Sequence, residues 1–65
     1  MMVTIYGLLG HAGKLVLPLE HLDVEELAPG QEFVFEQSLY QIRSVLQQAE
    51  TVLLNVTMVM QAARA

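Results

Sequence analysis

The sequence predicts a mainly-β fold: a single small domain over residues 1–65, built as a curled five-stranded antiparallel sheet with one short helical turn. Three observations carry this. Short β-branched or alternating apolar segments recur along the chain, and Gly or Pro punctuates its first half. The most apolar segment, residues 51–60 (TVLLNVTMVM), holds three valines and two threonines, which favour sheet over helix.

Residues 2–9 (MVTIYGLL) read as the first strand, and Gly10, His11, Ala12 and Gly13 as the loop that breaks it. From Lys14 to Glu20, Leu15, Leu17 and Leu19 alternate with other residues, giving a second strand with one buried face. Pro18 lacks an N–H, which places that strand at an edge or at a bulge. Residues 21–30 (HLDVEELAPG) form an acidic stretch in which Asp23 caps a helical turn that holds Glu25 and Glu26 and is ended by Pro29 and Gly30. Its apolar anchors are Leu22, Val24 and Leu27.

From Gln31 onward two periods compete. As a helix from Ser38, a seam of Ile42, Val45, Ala49, Val52, Val56, Val59 and Ala63 forms; a helix at 38–50 would make the domain α+β. As strands, the segment makes an antiparallel meander. Gln37 and Ser38 then form a hairpin turn and residues 47–51 a second one. Phe35 faces Tyr40, Phe33 faces Ile42, Ile42 faces Val56, Tyr40 faces Met58 and Leu46 faces Val52. One face then carries Phe33, Phe35, Tyr40, Ile42, Leu46, Val52, Leu54, Val56 and Met58, with Glu32 and Arg43 in one row of the other. The strand reading is preferred, because Leu54 and Met58 fall outside the helical seam but inside the β face. Such a sheet curls toward a partly open barrel of SH3-like dimensions, an architectural likeness that carries no function. Residues 61–65 read as a frayed or short helical tail.

Composition bounds function. Hydrophobic residues make up 54% of the chain and charged ones 15%, against roughly 45–50% and 25% in an average globular chain. That excludes a disordered chain and leaves few polar groups to cover a small sphere. There is no Cys, hence no disulfide, thiol nucleophile or Cys-ligated zinc. No apolar run is long enough to span a membrane and no basic residue precedes Lys14, so the expectation is a soluble, cytoplasmic protein. Three basic residues, Lys14, Arg43 and Arg64, argue against a nucleic-acid surface.

Chemistry-bearing motifs are scarce. His11 reads as an exposed loop histidine with no carboxylate adjacent in sequence. The hydroxyl residues sit in no nucleophile elbow, and Gly7, Gly10 and Gly13 make no phosphate loop. Four of the seven acids, Glu20, Asp23, Glu25 and Glu26, cluster in residues 20–26 with His21. Their spacing matches no metal motif, and they are expected to be solvated or to form an acidic recognition patch for a basic protein surface. The expectation is therefore no enzyme, no catalytic residue, no metal and no cofactor.

The second face of the meander carries Leu39, Val45, Leu53 and Val59, with Val34, where a solvated sheet would be polar. Either the first two strands fold over it, or it is a subunit interface. The functional expectation is a non-enzymatic protein-interaction or assembly module, homo-oligomeric through Leu39, Val45, Leu53 and Val59. An accessory protein of a phage or mobile element fits that size. The alternatives are an acidic inhibitor mimicking nucleic acid, or a small ligand-binding protein with its pocket at a subunit junction.

Overall fold

The structure, a computed structural model, describes residues 1–61. It contains β1 (Met2–Tyr6), β2 (Lys14–Pro18), a 3-10 turn (Leu19–His21), β3 (Glu32–Phe35), β4 (Ser38–Gln47) and β5 (Thr51–Met60). The helix weighed for 38–50 does not form, since β4 occupies that stretch. All five strands join one sheet in the order β2-β1-β5-β4-β3, with β2 and its Pro18 at an edge. The curled five-stranded sheet is therefore as expected, and three of its pairings are antiparallel. The fourth is parallel: β1 lies beside β5, with Val3 opposite Val52 and Ile5 opposite Leu54. Thr51 strengthens that junction by donating its hydroxyl to the Met2 carbonyl at 3.1 Å.

The concave face holds the core. Val3, Ile5, Leu17, Phe33, Tyr40, Ile42, Val52, Leu54 and Val56 are buried there, each contributing on the order of 1.5–3 kcal/mol. Residues 19–31 close the concave side from below: Leu22 is buried, and Leu19, Val24 and Leu27 pack against the cluster. Gly30 and Gln31 then return the chain to β4 through two 2.8 Å hydrogen bonds with Ile42. The 3-10 turn lies a few residues before the one expected. Pro18 is its N-cap, and Asp23 follows the turn instead of capping it.

The β3–β4 turn is Glu36 and Gln37, one residue earlier than Gln37 and Ser38. Both adopt positive φ, 50° and 69°, as a primed hairpin turn demands. Phe33 therefore opposes Tyr40, not Ile42, and the two rings stack at 5.8 Å. Glu32 opposes Gln41 and makes no row with Arg43. Phe35, now opposite Ser38 at the end of the hairpin, is half-buried rather than core.

β4 and β5 pair as expected at Tyr40 with Met58 and Ile42 with Val56, and then the register slips. Arg43 opposes no residue of β5, Ser44 opposes Asn55, and the Asn55 amide donates to the Ser44 hydroxyl at 2.8 Å. A bulge moves every later residue to the other face. Val45 accordingly opposes Leu54 and packs on the core, while Leu46 opposes Leu53 and is exposed, the reverse of the expected facing. A second bulge leaves Val59 unpaired between Met58 and Met60, so Leu39 faces Met60 rather than Val59. The second turn is also shorter than the expected 47–51, closing with Gln48 donating to the Thr51 carbonyl at 2.9 Å. The expected tail lies, apart from Gln61, outside the described residues.

Candidate functional site

β1 and β2 extend the sheet sideways beside β5, and neither folds across the outer face of β4 and β5. Among the described residues no segment covers that convex face. Its centre is one cross-strand row: Val16 of β2, Thr4 of β1, Leu53 of β5 and Leu46 of β4. Val16 is 49% and Leu46 55% exposed, Leu53 is half-buried, and Thr4 is buried between larger neighbours. Met2, also exposed, lies on the same face two residues from Thr4. A second apolar row of Val34, Leu39 and Met60 sits at the β3 side. Polar residues separate the two, in the rows Lys14, Tyr6, Asn55, Ser44 and Glu32, Gln41, Thr57.

Of the four interface residues expected from sequence, Leu39 and Leu53 lie on this face, both half-buried. Val45 is turned to the core by the Arg43 bulge. Val59 is exposed, but at the second bulge, outside either row. Sequence reasoning missed Val16, Met2 and Leu46. The first two join the face because β1 pairs with β5, a non-local event without a side-chain signature. Leu46 joins it because of a bulge.

Charge is segregated across the fold. β1, β4 and β5 carry one charged side chain, Arg43. All seven acids lie elsewhere, and Glu20, Asp23, Glu25 and Glu26 are exposed on the 3-10 turn and the loop after it. Among the described residues no group of three or more His, Cys, Asp or Glu side chains is placed to hold a metal ion.

His11 finds the partner that its sequence neighbours lack. The loop of residues 7–13 reaches the β3–β4 turn, where His11 Nε2 lies 3.0 Å from Glu36 Oε1 and the imidazole meets Phe35 edge-on at 6.1 Å. The Leu9 N–H donates to the Tyr40 hydroxyl at 3.1 Å. These contacts tie the loop to the hairpin. Glu36 is exposed and His11 partly so, and a pair so placed is worth less than about 1 kcal/mol. Among the described residues no helix is long and apolar enough to cross a membrane. The chain matches no family model, no curated protein and no solved structure.

Proposed function

We propose that this chain is a non-enzymatic assembly module that self-associates through the convex face of its sheet. One observation carries the reading: the strands that could have covered the outer face of β4 and β5 lie beside it instead, so apolar residues from all five strands are exposed among the described residues. A solvated antiparallel sheet normally presents polar residues there. A domain of this length obtains only about 3–5 kcal/mol from its own core, so burial of a second face also stabilises the fold by mass action. The working surface is Leu53 and Leu46 with Val16 and Met2, and Leu39 with Val34 and Met60 beside it. No cofactor enters the mechanism, and neither nucleic acid nor membrane is taken as a partner. A chain without Cys loses nothing in the reducing cytoplasm, which the reading takes as its compartment.

Light scattering across the micromolar range tests this. The wild-type mass should exceed one chain and fall on dilution, and Leu53→Glu should lower it at every concentration. A wild type that stays monomeric at hundreds of micromolar contradicts the reading.

A second reading rests on charge segregation. The exposed acids of residues 20–26 would recognise a basic protein surface and leave the neutral sheet for self-association. Such binding weakens with salt, whereas apolar self-association does not. The acids gather on one connection instead of along a face, which counts against mimicry of nucleic acid.

A further inference from the structure

β5 is ten residues long, and β1 pairs only with its first five. Gly7, at φ 105°, then sits against the Val56 carbonyl, which therefore points to the β1 side of β5. Main-chain groups of a strand alternate between its two edges, so Met58 turns its N–H and C=O to the same side as Val56. Among the described residues no strand lies beside residues 57–60 there.

An open edge is a template for another chain, and proteins block it with charge, Pro or a bulge. β2 begins with Lys14 and ends with Pro18, β3 begins with Glu32, and the part of β4 beyond β3 begins with Arg43. Residues 56–60 contain no charge and no Pro, and Met58, Val59 and Met60 are all exposed. Within residues 56–60 the protective device is the Val59 bulge, which bends the strand beyond Met58.

We propose that this edge is a strand-addition site whose occupant is the same segment of a second copy. The two run antiparallel about a two-fold axis at Met58, where the main-chain N–H and C=O of the two Met58 residues pair with one another. The proposal rests on the self-association reading above and adds a second contact to it. Charge selects the occupant. Each copy has a net charge of −4, yet the three strands around this edge carry only Arg43, so two copies meet here without opposing carboxylates. A basic peptide, by contrast, would find no carboxylate on those strands. An isologous pair also satisfies both open edges at once and leaves no strand end to recruit a third chain.

Two substitutions at an exposed position test the edge. Val59→Lys places a charge on it, and Val59→Thr keeps the shape without one. Light scattering should show the wild-type mass for Val59→Thr and at least tenfold weaker association for Val59→Lys. In native-state amide exchange at hundreds of micromolar, the Met58 amide should be slow in wild type and Val59→Thr and fast in Val59→Lys. Leu53→Glu, on the convex face, should leave that amide slow. A Val59→Lys protein that keeps both wild-type mass and a slow Met58 amide overturns the proposal, as does a fast Met58 amide in wild type. Wild-type mass for Leu53→Glu overturns the convex-face reading alone.

Discussion

Gly7 offers the sharpest test of how the sheet is put together, because it stands where β1 leaves β5. A Cβ built on it would lie 2.3 Å from the Val56 carbonyl oxygen, a main-chain atom that cannot swing aside, and its φ is 105°. Two costs follow for Gly7→Ala. Holding an L residue at positive φ costs about 1–2 kcal/mol. Relieving the overlap means moving backbone, with strain of roughly 1–3 kcal/mol. The stiffer unfolded chain offsets about 0.4–1 kcal/mol of this. The net loss is about 2–4 kcal/mol, and at about 4–8 °C per kcal/mol for a domain this small, the melting temperature should fall by roughly 8–30 °C. Gly10→Ala is the control: φ is 83°, but nothing lies within 4 Å of the added atom. It bears the positive-φ cost alone, about 1 kcal/mol after the same offset. Urea unfolding of both variants at one protein concentration gives the difference directly. Equal losses for the two would mean that β1 and β5 do not converge at Gly7, and the parallel pairing would be wrong.

Other outcomes follow from the registers. Val45→Asp buries an unpaired carboxylate against the core and should destabilise by about 3 kcal/mol or more, whereas Leu46→Asp should cost under about 1 kcal/mol in the monomer; the reverse order in urea melts would remove the Arg43 bulge. Gln37→Gly relieves a positive φ of 69° and should raise stability by roughly 1 kcal/mol, and a loss of stability there would mean that Gln37 does not hold a positive φ.

Local pattern was enough for much of this chain. Alternation placed Leu15 and Leu17 on one side of an edge strand, and β-branched content made 51–60 a strand. Phe33, Tyr40, Ile42, Val52, Leu54 and Val56 share the core face because side-chain direction has period 2 wherever pairing is regular. Leu39 and Leu53 were legible on the opposite face for the same reason. The hairpin turn was not legible, because neither Glu36 and Gln37 nor Gln37 and Ser38 contains the Gly or Asn that marks a primed turn; stacking of Phe33 on Tyr40 accompanies the register the chain adopts. His11 met Glu36 only because the loop crosses to a turn 25 residues away in sequence.

What remained for the tertiary structure to decide has one physical origin. Bulges at Arg43 and Val59, and the parallel union of β1 with β5, are main-chain hydrogen-bonding arrangements, and any side chain is compatible with the N–H and C=O groups that make them. The sequence alone determined that this chain forms strands with apolar residues on two faces. Only the assembled sheet decided that Val45 is core and Leu46 surface, that Val16 and Met2 join Leu53, and that β1 pairs with only the first half of β5.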